Sequence, residues 1–366
     1  MYPTEVIVDY DVLRENYKAL QALRPQCHLA PVVKSDAYGH GLVQASRAFL
    51  AGGAERLAVF RVEEALELRQ NGIDCPVWVL LGALPYEAEL AVGQGFTLAV
   101  FDLSQAKTLS EAALKEGLVQ DVHIAVDTGM GRLGFLVDEL PDALAQILAM
   151  KGLRVRGIFA HIAKANDATH PVTRRQVEGF RRALTMLPPD CNENHSCASD
   201  AWLGNLIPEL HYARPGICLY QEYAVNGRVI THDAMTLKTR LVSLKTIPAG
   251  SSISYNCVRT LTRDSRVAVA PLGYEDGFLR SMTDKGAALV HGRRAPILGT
   301  ICMSMTMLDV TDIPEAAIGD EAVFMGCQGD ERISIAELAD RANTTPHEFL
   351  CAMGKHRETP VLCRQL

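Results

Sequence analysis

In residues 31–41, PVVKSDAYGHG, a lysine ends a short apolar run, and small, polar and glycine residues follow it, with Tyr38 and His40 among them. An amine held at the end of an apolar element is partly stripped of water. That lowers its pKa and leaves it nucleophilic toward a carbonyl carbon. Schiff-base chemistry with pyridoxal phosphate is one use of such an amine. A strand-end lysine can equally lay its stem on apolar surface and keep its charge in water. Spacing alone leaves both readings of Lys34 open. The ten cysteines are scattered without a CxxC pair. No cysteine/histidine cluster has the spacing of zinc ligands, so no metal is expected.

The lysine-bearing run is the first of a series. CHLAPVVK, RLAVF, CPVWVLLG, FTLAVF, VHIAVD and VRGIFAHI are short apolar runs suited to buried strands. Between them lie stretches such as VEEALELRQNG and SQAKTLSEAALKEG, whose leucines and alanines recur at helical spacing. This alternation predicts βαβ units and a parallel sheet. It continues to about residue 230, with HYARPGICLY as a late strand. That length fits a closed (β/α)8 TIM barrel, in which chemistry sits at the carboxyl ends of the strands. A doubly wound open sheet is the alternative, but no GxGxxG fingerprint favours it. After about residue 233 the runs MTLKTRLVSLKTIPAG, SRVAVAPLG, AALVHGRRAPILGT and TMLDVTD alternate and are broken by Gly and Pro. They predict a mostly β second domain with a late helix, ISIAELADRAN.

Length and composition agree. A chain of 366 residues has room for about two domains, and 48% apolar with 22% charged residues is an ordinary globular balance. A net charge of −7 without a basic run excludes nucleic acid and anionic membrane as main partners. No apolar stretch approaches the roughly 18 residues of a membrane helix. The start, MYPTEVIVDYDVLREN, shows no basic n-region and no h-region, and the cysteines read as reduced thiols, so a cytoplasmic protein is expected.

PVVKSDAYGHG resembles the cofactor-lysine motif of alanine racemases. VDTGMGRLGF (126–135), RPGICLY (214–220), ISY (253–255), GYEDGFLR (273–280) and GTICMSMTMLDVTD (299–312) resemble that family's later motifs in the same order. The resemblance spans both inferred domains. It implies fold type III of the pyridoxal-phosphate enzymes, with a barrel over 10–232 that binds the cofactor and a β domain over 233–366. The first nine residues would return to the β domain. It also implies a homodimer in which each active site is completed by the partner's β domain.

By the same resemblance, Lys34 carries pyridoxal phosphate and serves as base on one face of the substrate Cα. Tyr255, from the other subunit, is the base on the opposite face. Racemisation needs both, because a proton leaves one face and another arrives on the other. A tyrosine of pKa about 10 is a poor base unless something lowers that pKa. His161 matches the histidine that contacts this tyrosine. Arg214 matches the arginine facing the pyridine nitrogen, and His195 a histidine behind it. A permanently charged arginine leaves that nitrogen unprotonated, which restrains side reactions such as transamination. Tyr38, Ser199 and the backbone of Gly216 and Ile217 match the phosphate cradle. Arg132 matches a contact to the cofactor ring oxygen and substrate carboxylate, and Met303 a backbone contact to that carboxylate. Arg280 and Tyr274 match the gate of the substrate path.

Departures accompany the matches. Where most of that family has a carbamylated lysine that orients the arginine, this chain has Ala125, so the partner of Arg132 is open. Ser304 and Asn166 replace aspartates, Thr300 an arginine and Ala198 an asparagine. Lys355 or His356 stands where a gate tyrosine is usual. The expected activity is interconversion of L- and D-alanine, a step that commonly supplies cell-wall precursors. A serine, broad-spectrum or basic amino-acid racemase on the same scaffold is the alternative. A fold type III decarboxylase or aldolase, or a non-catalytic carrier of the cofactor, ranks below both. A decarboxylase favours an acid at the pyridine nitrogen, and a carrier has no need of Tyr255.

Overall fold

The computed structural model describes residues 3–354, so Lys355 and His356 lie outside the described residues. Strands Leu57–Val59, Val77–Val79, Phe96–Val100, Gln120–Asp127 and Leu153–Phe159 pair in parallel and in chain order. All three residues of the first two strands are buried, as a sheet covered on both faces requires. Helices such as Val62–Gln70 and Leu103–Lys115 connect them on the outside, the second started by Asp102, whose side chain accepts from Gln105 N–H.

The sheet closes through shorter contacts. Phe159 bridges His195, Cys197 bridges Ala213, and Tyr212–Ala213 pairs with His28–Leu29. Val32 then bridges Ala58 and returns to the first strand of the ladder. The stave at 193–197 was not legible from the sequence. Its residues are polar, yet Glu193 and His195 N–H donate to Arg156 and Ile158 carbonyls at 3.0 and 3.1 Å. The late strand HYARPGICLY is ladder only over Tyr212–Ala213. Pro215 has no N–H to give, and the chain turns into the 3-10 segment Ile217–Leu219. The barrel expectation therefore holds and the open-sheet alternative does not.

Beyond the barrel the strands are antiparallel. The order is Glu5–Val8, Met235–Arg240, Glu321–Gln328, Ala287–Val290, Arg293–Leu298, Thr306–Asp309, Ser265–Ala270 and Ser243–Ile247. The hairpin at Ala287–Val290 and Arg293–Leu298 turns on His291 and Gly292, at φ 51° and 68°. Positive φ at both central residues gives a turn whose twist matches its strands. The first strand joins this sheet with Val6 opposite Leu237. Helices Ile335–Ala342 and Pro346–Gly354 follow, and the second reaches back to the barrel. Among the described residues no helix is long and apolar enough to cross a membrane, and no group of three His, Cys, Asp or Glu could hold a metal ion.

Candidate active site

A cavity of about 380 Å³ opens where the barrel strands end. Lys34, Phe60, Leu80, His161, Ser199 and Arg214 line it from segments that follow barrel staves, and Ala125 from within the strand Gln120–Asp127. Tyr38, Arg132, Gly216 and Ile217 also line it. The barrel residues expected to hold cofactor thus meet in one place.

The segment after Lys34 is built against local preference. Ser35, Asp36, Ala37 and Tyr38 have φ between 51° and 56°, so four non-glycine residues form a left-handed turn. Each costs roughly 1–2 kcal/mol in that conformation. Hydrogen bonds hold it: Ala37 N–H to Val33 O at 2.8 Å, Gly41 N–H to Asp36 O at 3.0 Å, and Leu42 N–H to Asp36 Oδ1 at 2.8 Å. Glu64 adds a link between loops, accepting from Ser35 N–H at 2.6 Å and from Phe60 and Arg61 N–H at 2.9 and 3.0 Å. His40, whose Nδ1 lies 3.0 Å from the Ala37 and Tyr38 carbonyls, belongs to this scaffold. The helix Pro346–Gly354 presses on the turn so closely that a Cβ at Gly39 would strike Leu350 O. The turn buries the Tyr38 ring against Tyr220, with centroids 4.9 Å apart.

Charge inside the cavity is almost all positive. Burial lowers the pKa of Lys34, and the neighbouring charges of Arg214 and Arg132 lower it further. Burial also pulls Arg214 down to about 10, which still leaves a guanidinium at neutral pH. Arg214 Nε donates to His195 Nδ1 at 3.0 Å, and a second nitrogen donates to the Ala160 carbonyl. His161 Nδ1 sits 3.4 Å from the guanidinium. Burial, then Arg214, Arg132 and Lys34, pull His161 down to about 3, so its ring is neutral.

The phosphate end is equally defined. Ser199 Oγ accepts from Gly216 N–H at 3.1 Å and from Cys218 N–H at 3.2 Å, which frees the hydroxyl proton for an anion. A Cβ at Gly216 would collide with Tyr38 Oη. Ser196 Oγ is buried in the cavity wall without a hydrogen-bond partner among the described residues. Sequence reasoning missed Ser196 and also His347, whose ring is 5.6 Å from Tyr38 and lines the same cavity. A histidine near the start of a late helix carries no signal that places it there.

Ala125 puts only a methyl group into the cavity, and among the described residues Arg132 has no ion pair. Its backbone is fixed instead: Asp127 accepts from the N–H groups of Gly129, Met130, Gly131 and Arg132 at 2.8–3.2 Å. Asn166 and Ala198 line the cavity too.

The remaining expected residues are elsewhere in the chain. Tyr255, Tyr274, Arg280 and Met303 do not line this cavity and stand on loops of the antiparallel sheet. Those loops interlock. Tyr274 and Glu275 N–H donate to Cys302 and Met303 carbonyls at 3.1 and 3.0 Å, and Thr300 Oγ1 donates to Tyr255 O at 2.8 Å. Thr300, which departs from the arginine of the motif, therefore anchors the tyrosine loop. Ser304 donates to Glu275 at 2.9 Å. Ser254, just before the tyrosine, is held at φ 64°. The cluster faces outward: Tyr255 is 66% exposed, Met303 54% and Tyr274 40%.

The barrel cavity fits pyridoxal phosphate on its own donors. It offers a desolvated amine for the aldehyde, a buried guanidinium for the ring nitrogen and a phosphate end with free hydroxyl protons. Gly216→Ala tests the cradle. Overpacking against Tyr38 is expected to weaken cofactor binding about tenfold or more, read by titrating apoprotein with pyridoxal phosphate.

The comparisons with known proteins point the same way. Family models described as "Alanine racemase, N-terminal domain" and "Alanine racemase, C-terminal domain" match residues 8–224 and 234–360. The chain is 38% identical to the alanine racemase of Geobacter sp. (strain M21) over 369 aligned residues, covering 97% of each chain. It superposes on the alanine racemase of D-cycloserine-producing Streptomyces lavendulae with a TM-score of 0.90 at 30% identity, covering 100% of this chain and 98% of that one. The alanine racemase of Bartonella henselae with covalently bound pyridoxal phosphate matches with a TM-score of 0.89 at 25% identity, covering 97% and 98%. With both halves matched in order along nearly its whole length, the chain belongs to the alanine racemase family.

Proposed function

We propose that this protein interconverts L- and D-alanine with pyridoxal phosphate, using Lys34 and the partner subunit's Tyr255 as bases on opposite faces. The observation that carries the reading is one cavity holding a desolvated lysine amine, a guanidinium and an anion cradle. When bound, pyridoxal phosphate makes the Cα–H of an attached amino acid acidic enough to leave. Lys34 holds the cofactor, and its Nζ, once free, takes or returns the proton on its own face. Tyr38 and Ser199 hydroxyls and the Gly216–Ile217 backbone would hold the phosphate, the Gly216 N–H turning to it from Ser199 Oγ, with His347 at the same end. Arg132 would receive the substrate carboxylate, joined by the N–H of Met303 of the partner subunit, which stands in the same outward cluster as Tyr255. Arg214 would face the ring nitrogen as a donor and, still a guanidinium at neutral pH, would leave it unprotonated. That choice supports racemisation over decarboxylation.

The outward cluster around Tyr255 supports a homodimer with shared sites. A second base at that position is in no position to serve the barrel cavity of its own chain, but a two-fold arrangement delivers it to the partner's cavity. His161 would meet the partner's tyrosine there. Arg280 and Tyr274 would form the gate beside it. The change from parallel to antiparallel pairing supports a division at 10–232 and 233–366, and the pairing of Glu5–Val8 with the strand Met235–Arg240 supports the return of the first segment to the β sheet. A cytoplasmic location fits the free thiols.

Burial of Lys34 sets the pH behaviour. The amine acts as a base when neutral, and its pKa is lowered from 10.5. The acid limb of the kcat profile should therefore lie below that of an exposed lysine. A limb at or above 10.5 would contradict the assignment.

Ala125, Asn166 and Ser304 favour a second reading, in which the substrate path admits larger or polar side chains. A hydrophobic pocket discriminates one methylene by only about 1–3 kcal/mol, so several small amino acids can react. The test is incubation with pyridoxal phosphate in heavy water and a panel of L-amino acids, followed by chiral chromatography and mass spectrometry. Alanine racemising fastest supports the first reading. Serine, lysine or arginine racemising fastest makes the second one correct. Deuterium exchange without inversion for every amino acid would sink both.

A further inference from the structure

Behind Arg214 the barrel interior carries a line of polar groups that the proposed chemistry does not use. Arg214 Nε donates to His195 Nδ1 at 3.0 Å, and His195 Nε2 lies 3.1 Å from His123 Nδ1. His123 Nε2 then faces Glu193 Oε2 at 3.5 Å, a charge contact outside hydrogen-bond geometry, and has no hydrogen-bond partner among the described residues. Glu193 is held in turn by Arg56 at 3.3 Å and Arg156 at 2.8 Å. Both histidines and Glu193 are buried. The guanidinium of Arg214 is buried as well, and among the described residues it has no carboxylate of its own.

The hydrogen positions follow from the donor inventory. An arginine Nε is only ever a donor, so His195 Nδ1 must accept. The His195 proton is therefore on Nε2 and is given to His123 Nδ1. That leaves the His123 proton on Nε2, pointing at the carboxylate. A protonated His195 would set N–H against N–H, so both rings are neutral, and burial lowers the pKa of each. Burial by itself raises the Glu193 pKa, but the facing His123 N–H, the hydrogen bond from Arg156 and the nearby Arg56 charge more than offset it and bring it to about 2. The carboxylate thus stays ionised. The line cannot swing aside, because His195 is sandwiched between Trp78, 4.2 Å away at 10°, and Phe159, 5.2 Å away at 12°.

We propose that Glu193 is a positioning residue for Arg214, acting through His123 and His195. Arg214 Nε–H at one end and the carboxylate at the other agree on the direction of every proton in the line, and the negative charge strengthens His195 Nδ1 as an acceptor. That holds the guanidinium aimed into the cavity. The inference rests on the racemase reading for its consequence but not for its geometry. Glu193→Gln removes the charge and supplies an amide that can donate to His123 Nε2. The line can then reverse only if the Arg214–His195 bond breaks, because a proton on His195 Nδ1 would face the Arg214 Nε–H, and the guanidinium turns away from its aim into the cavity whenever that happens.

The test is ¹⁵N NMR of histidine-labelled protein, with and without pyridoxal phosphate, joined to steady-state kinetics. In the native chain His123 and His195 are expected as neutral Nε2–H tautomers. In Glu193→Gln both should shift toward Nδ1–H, kcat should fall about tenfold with KM little changed, and cofactor transamination per turnover should rise, the scale seen when outer-shell supports are removed. Glu193→Asp should restore the native tautomers. An Nδ1–H or imidazolium His195 in the native spectrum overturns the proposal, even if the glutamine variant fails to fold. So does a folded Glu193→Gln with unchanged tautomers and kcat, whatever its stability. Native tautomers as expected in a protein that racemises nothing would instead leave the relay standing and remove the function proposed above.

Discussion

Lys34→Ala should abolish racemisation and remove the visible absorption of lysine-bound pyridoxal phosphate. In the proposed function the lysine has two jobs, holding the cofactor and moving a proton on one face of the substrate. Loss of a positioned general base alone costs about 10²–10⁴-fold. Loss of covalent attachment adds to that. The substitution is expected to leave the fold intact, because the strained turn at Ser35–Tyr38 is held by Glu64, by bonds to the Val33 and Asp36 carbonyls and by the helix behind Gly39. Thermal unfolding and a cofactor difference spectrum check both halves. A variant that keeps native turnover would remove Lys34 from the chemistry altogether.

Tyr255→Phe should retain the cofactor and its spectrum while losing inversion by about 10²–10⁴-fold. Only the Oη is removed. The loop keeps its shape because Thr300 bonds the Tyr255 carbonyl rather than the ring. In heavy water the Lys34 face should still exchange its proton, so deuterium enters one enantiomer without producing the other. Equal and unimpaired racemisation from both enantiomers would show that Tyr255 is not the second base.

Much of this was legible in the sequence, and the parts that were not share a cause. Strands such as Leu57–Val59 and Phe96–Val100 announce themselves by unbroken apolar runs, and the helix Val62–Gln70 by its periodicity. Lys34, Arg214 and Tyr255 sit in motifs long enough to be matched in order. The stave at 193–197 is polar because its side chains join the buried line to Arg214, so an apolar pattern cannot reveal it. His123 hid inside VHIAVD for the same reason, read as one more strand residue. The left-handed turn has no glycine over Ser35–Tyr38 to betray it. Tertiary hydrogen bonds impose it, and no local propensity encodes those. His347 reaches the cavity only because the helix Pro346–Gly354 folds back against Gly39.

The departures also acquire physical meaning. Thr300 is not an empty replacement, since its hydroxyl holds the tyrosine loop, and Ser304 finds Glu275. Ala125 differs: it leaves Arg132 without an ion pair among the described residues, held by its backbone alone.

The central claim is that a lysine from one subunit and a tyrosine from the other serve the same carbon. Mixing inactive Lys34→Ala with inactive Tyr255→Phe under conditions of subunit exchange tests it most directly. Each mixed dimer would contain one site with both defects and one with none, so random assortment should restore roughly a quarter of native activity. Exchange into mixed dimers with no activity above the two separate variants would contradict the account.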